Sequence, residues 1–264
     1  MTSTLLFFGD IVGNPGRQAV DAAVSELKRR YEADFVIANA ENAAHGSGLT
    51  VKLANQILRS GVDVITSGDH IFRQRDHEDV VKINEVLRPA NFPDAALGRG
   101  YGVYDLPNGK GKIAVINIIG RIFMEPVQCP FLTADKIIDS LRNDGIVTIF
   151  IDIHAEATSE KIAFARRYAG KVTAIIGTHT HVQTNDAEIF NGTAYLTDAG
   201  MCGPHDGVIG RQYEPVIRKM MTHMPTRFDV SNGDLRANGA AVRFDELIGK
   251  ALSIQPLTFK LPNA

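Results

Sequence analysis

The stretch Val172-Thr-Ala-Ile-Ile-Gly-Thr-His-Thr-His181 joins a short apolar run to two histidines that are separated by one residue. A short continuous run of apolar and β-branched residues is typical of a strand that is buried on both faces. Two histidines at this spacing in an extended segment point to the same side, so each can bind one of two neighbouring metal ions. The stretch therefore predicts a buried strand that ends at a metal site.

The same arrangement, an apolar run followed by polar residues, recurs along the chain. The runs that predict strands are residues 5–8, 35–38, 62–66, 113–119, 147–153, 172–176 and 194–196. Amphipathic patterns between several of them predict helices at residues 17–31, 51–59, 133–142 and 159–169, with Thr133 and either Thr158 or Ser159 as N-caps. Alternating strands and helices favour a layered α/β architecture with a mixed or mostly parallel sheet.

No repeat, low-complexity tract or linker divides the 264 residues, so we expect a single domain over residues 1–264. Residues 87–111 are rich in Pro, Gly and Asn, and they predict an irregular inserted region. After Gly203 the pattern weakens. There we expect a helix, followed by strands around Phe228 and at residues 240–244.

The composition limits the functions that are open to the chain. Lys plus Arg number 28 and Asp plus Glu number 30, so the net charge is −2. The chain therefore lacks the excess of positive charge that is typical of proteins that bind long nucleic acid. Cys129 and Cys202 are far apart in sequence and suit free thiols in a reducing compartment. The sequence has neither a basic signal-peptide region nor an apolar stretch of about 20 residues, so we expect a cytoplasmic protein without a membrane span.

Polar side chains that could bind metal or take part in catalysis follow several of the predicted strands, near the point where the strand ends. In open α/β sheets, ligands bind at the carboxyl ends of the strands, so we expect these side chains to converge on one rim. They are Asp10, Glu41, Asn42, Asp69, His70, His154, His179 and His181.

The ligand types in this set favour iron, manganese or zinc over a metal held by soft thiolates. A carboxylate such as Glu41 can bridge two ions. Two ions about 3.5–4 Å apart share a hydroxide, lower its pKa and clamp the oxygens of a phosphoryl group. The pattern therefore predicts a two-metal site suited to phosphoryl chemistry.

Single members of the set also have structural interpretations. Asp10 and Glu41 are equally typical of helix caps or loop acids, and an isolated His154 is more typical of a hydrogen-bonded core position. His70 has a second interpretation as a hydrogen-bond partner of a ligand. The dyad of His179 and His181 has few structural roles, and it favours a metal site for the set as a whole.

Five motifs, taken in order, resemble those of the calcineurin-like metallophosphoesterase superfamily. They are Gly9-Asp-Ile-Val-Gly13, Asn39-Ala-Glu-Asn-Ala-Ala-His-Gly-Ser-Gly48, Gly68-Asp-His70, Asp152-Ile-His-Ala-Glu156 and Gly177-Thr-His-Thr-His181. More closely, the chain resembles the YmdB-like family of bacterial cyclic-nucleotide phosphodiesterases. The resemblance runs from Leu5 to about Gly210, and any one motif is less specific than the ordered set.

This resemblance implies a four-layered α/β/β/α sandwich with two metal ions, most often iron. By position, Asp10, Asn42 and His181 would hold one ion. The second ion would lie on Asp69, His154 and His179, with Glu41 as the bridge between the two.

The resemblance also implies the reaction. A metal-bound hydroxide would open a 2′,3′-cyclic nucleotide to a nucleoside monophosphate, and His70 would be the catalytic histidine beside the phosphate. The partner is thus a small phosphoester, and assembly into a homo-oligomer is an expectation at the level of the family.

The chain has Asp69 where the family has asparagine, and His45 is expected to line the mouth of the pocket. Aspartate can still ligate through one oxygen, but we expect its added negative charge to weaken the attraction for an anionic phosphate. Two other functions therefore stay open. One is a metallophosphatase acting on another phosphoester, and the other is a nucleotide-binding regulatory protein that hydrolyses poorly.

Overall fold

In a computed structural model that describes residues 2–262, the central strands send alternate side chains into two buried layers. Along residues 5–8, Leu6 and Phe8 lie in one apolar cluster, whereas Leu5 and Phe7 lie in another. Successive side chains of a strand point to opposite faces of its sheet. Both faces of the sheet are therefore covered, which explains the continuous apolar runs.

Strands and helices alternate over much of the described chain. In chain order they are β1 (Thr2–Phe8), β2 (Asp10–Ile11), α1 (Gly13–Tyr31), β3 (Phe35–Asn39), α2 (Val51–Arg59), β4 (Val64–Thr66), α3 (His77–Val80), β5 (Val86–Leu87), β6 (Tyr101–Asp105), β7 (Lys112–Ile119), α4 (Pro130–Asn143), β8 (Thr148–His154), α5 (Thr158–Tyr168), β9 (Ala174–Thr178), β10 (Glu188–Phe190), β11 (Thr193–Leu196), β12 (Met201–Pro204), α6 (Tyr213–Thr222), β13 (Leu235–Asp245) and β14 (Lys250–Lys260). Short 3₁₀ turns lie at Gly68–His70 and Pro107–Gly109.

The strands form two mixed sheets. The first has the order β2-β12-β13-β1-β3-β4-β5, with β14 paired to β13. Its β1, β3, β4 and β5 run parallel, while β13 is antiparallel to β1. The second sheet has the order β10-β11-β9-β8-β7-β6, and its four middle strands are parallel. The predicted polar residues lie at or shortly after the carboxyl ends of β1, β3 and β4 in the first sheet and of β8 and β9 in the second.

Three apolar clusters define the layers. The first joins α1 and α2 to one face of the first sheet, and the third joins α4 and α5 to one face of the second sheet. The middle cluster lies between the sheets, where the rings of Phe7 and Phe150 approach to 4.9 Å between centroids. This order of layers is α/β/β/α, as predicted.

Apart from the strand predicted around Phe228, the predicted strands and helices are present, with shifted ends. Neither α4 nor α5 uses the predicted N-cap: Cys129 precedes α4 and Ala157 precedes α5, and neither makes a side-chain capping bond. The helix α4 begins three residues before Thr133, because Pro130 has the φ of a first helical turn and needs no N–H partner there. The prediction of these caps was therefore wrong.

Two predictions for less patterned segments were also wrong in part. Residues 87–111 are not wholly irregular, because β6 within them forms an antiparallel pair with β7. Phe228 is not in a strand; it is partly exposed, and its carbonyl accepts a hydrogen bond from Arg211. The strand predicted at residues 240–244 lies within β13, and β14 was not predicted.

Among residues 2–262, none of the helices combines the length and the apolar character that crossing a membrane requires.

A glycine substitution tests the close approach of β9 to the chain after β11. A Cβ atom on Gly177 would overlap the carbonyl oxygen of Thr197, which is backbone and cannot turn aside. We expect Gly177→Ala to lower the free energy of unfolding by about 1–3 kcal/mol in a urea titration. As the control, Gly203→Ala should lose less, because the nearest atom to its new Cβ is a side-chain carbon of Val12 at 3.2 Å. Equal losses would contradict this packing account.

Candidate metal centre

Strand ends from both sheets bring the predicted side chains together at one edge of the sandwich. Ligand atoms of Glu41, Asp69, His154 and His179 all lie within 4.8 Å of one another. A second group with the same property consists of Asp10, Glu41 and His181. Glu41 belongs to both groups, so the two possible metal-binding groups adjoin at one shared carboxylate.

The Glu41 carboxylate is buried at the junction of the two groups. Its Oε2 lies 3.0 Å from His154 Nε2 and accepts a hydrogen bond from the backbone N–H of Asp69 at 3.1 Å. Its Oε1 accepts a hydrogen bond of 2.7 Å from Asn42 Nδ2. Gly68 makes this approach possible, because a Cβ there would overlap Glu41 Oε2 and the residue has a φ of +52°.

Hydrogen bonds behind His154 assign its ring protons. Its Nδ1 lies 2.8 Å from Thr178 Oγ1, whose own hydroxyl donates to Asp152 Oδ1 at 2.6 Å. The threonine oxygen can therefore only accept from His154, so Nδ1 carries a proton and Nε2 faces the cluster. Asp152 is fully buried, also accepts from Asn39 at 2.9 Å, and has a pKa raised by burial to about 6.

The other two histidines are oriented in the same way. His179 Nε2 lies 3.1 Å from Glu156 Oε2, which leaves Nδ1 facing the cluster at 3.0 Å from His154 Nε2. His181 Nδ1 donates to the carbonyl of Ile209 at 3.0 Å, so the lone pair of Nε2 points into the group, 3.2 Å from Asn42 Nδ2. A metal-binding histidine has this arrangement, with one nitrogen hydrogen-bonded to the protein around the site and the other directed into the site.

The charges of the cluster are tightly coupled. Burial alone lowers the pKa of His154, but the surrounding carboxylates, chiefly Glu41 and Asp69, hold it well above its ordinary value. Burial, followed by the charge of His154, lowers the pKa of His179 to about 4. A proton on His154 Nε2 thus sits where a cation would, and metal binding would release it.

Asp10 provides the test of whether a cation fits the second group. The side chain is fully buried; its Oδ2 accepts from the backbone N–H of His179 at 3.0 Å, but Oδ1 has no hydrogen-bond partner within residues 2–262. An unpaired buried carboxylate oxygen is costly unless a cation or donor satisfies it. The orphaned oxygen and the oxygen and nitrogen donors around it fit a metal ion.

Asn42 links the cluster to His70. Because Asn42 Nδ2 donates to Glu41 Oε1, the other amide atom is the oxygen, and it lies 3.0 Å from His70 Nδ1. His70 Nδ1 therefore carries a proton, and its Nε2 is free. Asn42 Nδ2 also lies 3.2 Å from His181 Nε2.

The segment that carries the two histidines is held in a strained conformation. His179 has a φ of 99° and His181 a φ of 66°, in the region that non-glycine residues rarely adopt. Such strain persists only where the surroundings impose it, and it concentrates at functional sites.

A buried ion pair imposes this conformation. The ammonium of Lys161, which is fully buried, donates to the carbonyl of Thr178 and to Asp198 Oδ2, each at 2.7 Å. Asp198 Oδ2 also accepts from the backbone N–H of Thr180 at 3.2 Å and from its hydroxyl at 2.8 Å. The pair therefore forms hydrogen bonds to the backbone on both sides of His179, at Thr178 and at Thr180.

All the predicted ligands thus lie at one site, and several supporting residues were not predicted. Asn39 and Asp152 begin two of the five motifs that carry the family resemblance, but no role was assigned to them. Lys161 and Asp198 lie outside those motifs, and nothing in their local pattern indicates burial. His45 is exposed rather than lining the pocket, and its carbonyl accepts from Arg211.

A pocket of about 330 Å³ opens over the cluster. Its lining residues are Glu41, Asn42, Gly46, His70, Glu156, His179, Thr180, His181, Ile209 and Arg211. The pocket therefore combines the shared carboxylate, the free His70 nitrogen and one arginine.

Several known proteins are similar to this chain in sequence and in fold. The profile of the YmdB-like protein family matches residues 6–257. A 2′,3′-cyclic-nucleotide 2′-phosphodiesterase from Bacillus subtilis is 44% identical over 253 residues, 95% of this chain and 95% of that protein. The crystal structure of a novel phosphatase from Mycoplasma pneumoniae is 35% identical with a TM-score of 0.92, over 98% of this chain and 94% of that one.

A more distant structure shares the fold alone. The NAD nucleotidase of Haemophilus influenzae is 16% identical with a TM-score of 0.59, over 99% of this chain and 56% of that one. Two stacked sheets between helices, with side chains that could bind metal at their strand ends, define the class as the metallophosphoesterases. Within this class the chain belongs to the YmdB-like family, which confirms the resemblance drawn from the motifs.

The buried ion pair can be tested by removing its cation. We expect Lys161→Met to lower the free energy of unfolding by about 3–5 kcal/mol, because Asp198 would be left as an unpaired buried charge. Metal content measured by elemental analysis should also fall, since the His179 backbone loses its support.

The matched control is the exposed pair of Arg167 and Asp135. Arg167→Gln should cost less than about 1 kcal/mol and leave metal content unchanged. Retention of wild-type stability and metal content by Lys161→Met would contradict the supporting role of the pair.

Proposed function

We propose that this chain hydrolyses 2′,3′-cyclic nucleotides to nucleoside monophosphates with the help of two metal ions. The observation that carries the proposal is the position of Glu41 in two adjoining ligand groups, beside a histidine with a free nitrogen. The Bacillus relative, which is named for this activity, supports the choice of substrate.

The residues at the site suggest how the ions are held. Asp10 and His181 would hold one ion, and Asp69, His154 and His179 the other, with Glu41 shared between them. Asn42 would join Asp10 and His181 once its amide turns, because in this structure its Nδ2, and not its Oδ1, faces Glu41 and His181. The oxygen and nitrogen donors suit iron, and also manganese or zinc. When bound, such a pair supplies Lewis acidity toward phosphate oxygens and makes a water molecule nucleophilic at neutral pH.

His70 is the residue we assign to proton transfer. Its Nδ1–H donates to Asn42 Oδ1 at 3.0 Å, and this bond holds the ring at the pocket wall. As the oxygen of water bonds to phosphorus and the bond from phosphorus to the ribose oxygen breaks, protonated Nε2 donates its proton to that oxygen. The proton released by the water restores His70, so the sum is one water added across one P–O bond.

Two histidine variants separate proton transfer from metal binding. We expect His70→Ala to keep its metal but to lower kcat on 2′,3′-cAMP by about 10²- to 10⁴-fold, the usual contribution of a general acid. His179→Ala should lose metal as well as activity, because it removes a ligand. Elemental analysis and steady-state kinetics measure the two effects.

The control for both variants is His223→Asn, at an exposed position after α6 where the φ of 55° is one that asparagine tolerates. It should keep both metal and activity. Equal loss of metal from His70→Ala and His179→Ala would refute the division of roles.

Asp69 tests whether the departure from the family asparagine governs substrate affinity. Its carboxylate lies 3.2 Å from His154 Nε2, inside the cluster. We expect Asp69→Asn to lower KM for an anionic cyclic nucleotide several-fold, because one negative charge is removed near the phosphate. A KM that rises or stays constant would show that this charge does not limit binding.

A second candidate is hydrolysis of a different phosphoester by the same residues. The Mycoplasma structure, which is that of a novel phosphatase, supports this second candidate. A panel of cyclic nucleotides, phosphomonoesters and acyclic diesters separates the two, with the higher kcat/KM deciding. Tight binding of a cyclic nucleotide without turnover would instead favour a regulatory protein.

A further inference from the structure

Arg211 occupies an unusual position in the metal pocket. It is the last residue of the turn at residues 208–211, whose ends pair in a short antiparallel bridge, and its half-buried side chain lines the pocket. It is the one lysine or arginine among the residues that line this pocket. It faces a site whose ligands are rich in negative charge.

The guanidinium is bound by neutral groups alone. Its Nη1 donates to the carbonyls of His45 at 3.3 Å and Phe228 at 3.2 Å, and its Nη2 donates to the carbonyl of Gly46. Arginine has five N–H donors. Within residues 2–262, the Nε–H and one N–H of Nη2 have no hydrogen-bond acceptor.

Its positive charge is likewise uncompensated by a close carboxylate. Among the described residues, no carboxylate oxygen lies within 4.0 Å of the Arg211 nitrogens. Asp229, the acid whose charge acts on Arg211, has a side chain that is 56% exposed and lies 3.0 Å from Arg227 Nε. Arg211 therefore keeps both its charge and two donors for a ligand.

The sequence around the pocket makes room for this side chain. Gly46 has a φ of +85°, and a Cβ at this position would meet the Arg211 guanidinium. A glycine in the loop that follows Glu41 and Asn42 thus allows the guanidinium to lie against the backbone beside the metal ligands.

We propose that Arg211 binds an oxygen of the substrate phosphate and is a specificity-determining residue for anionic phosphoesters. Arginine presents its donors as a planar fork that matches the oxygens of a phosphate, which makes it a common residue for this task. The inference rests on the proposed function, because it assigns a protein contact to the phosphate that the metal ions would bind.

The test measures phosphate binding independently of turnover. Wild type, Arg211→Gln and Arg211→Lys are loaded with manganese, and the Kd for inorganic phosphate is measured by titration calorimetry. KM and kcat for 2′,3′-cAMP are measured beside it. We expect Arg211→Gln to raise both Kd and KM by about 10- to 100-fold with a smaller change in kcat, as loss of a charge-assisted hydrogen bond predicts.

Arg211→Lys should recover part of the loss, because it keeps the charge without the fork. Metal content should be the same in all three proteins. The control is Arg142→Gln, an exposed arginine that also donates to a backbone carbonyl, that of Lys171 at 2.8 Å, and it should change neither Kd nor KM.

The outcomes separate the inference from the proposed function. An unchanged phosphate Kd in Arg211→Gln overturns the inference, whatever the activity of the wild type. Loss of metal from Arg211→Gln also overturns the inference, because Arg211 would then have a structural role in holding the loop at Gly46. A wild type that binds phosphate through Arg211 but opens no cyclic nucleotide would uphold the inference and reject the proposed substrate.

Discussion

The burial of carboxylates at the meeting point of two sheets is the constraint on which the rest of this structure depends. Asp10 and Glu41 are almost fully removed from solvent, and no lysine or arginine lies within 4.0 Å of either carboxylate in the described chain. Burying charge without compensation is costly. A protonated His154 supplies part of the compensation, and metal ions would supply the rest.

The surrounding architecture makes sense as the means of keeping these carboxylates in place. The parallel strands of both sheets deliver their following residues to one edge, and the apolar layer between the sheets holds those edges in register. Behind the histidines, the buried Asp152 and the pair of Lys161 and Asp198 fix ring orientation and backbone conformation. This support allows His179 to keep a φ that isolated residues avoid.

Much of this could be predicted from sequence because the signals are local. The predicted buried strands are continuous apolar runs, and the predicted ligands lie shortly after such runs. Because ligand sites form at the carboxyl ends of the strands in α/β sheets, these residues were expected at one edge. The family motifs then supplied the order of layers. In the structure Glu41 belongs to both ligand groups, which is the position that a bridging carboxylate would need.

The features that could not be predicted depend on contacts between distant parts of the chain. Lys161 and Arg211 are ordinary basic residues in sequence, and only the fold shows that one is buried against Asp198 and the other is left without a carboxylate. Likewise, β14 is largely exposed and lacks the continuous apolar run that predicts a buried strand. Its pairing with β13 decides its structure. The caps of α4 and α5 were missed because Cys129 and Ala157, which precede these helices, make no side-chain capping bond, and α4 begins instead at Pro130.

The central claim is that Glu41 lies between two metal ions. Anomalous diffraction from crystals grown with manganese tests it most directly, since each bound ion gives its own peak. The account predicts two peaks about 3.5–4 Å apart, one on each side of the Glu41 carboxylate. A single peak on one ligand group, or no peak at this edge of the sandwich, would contradict it.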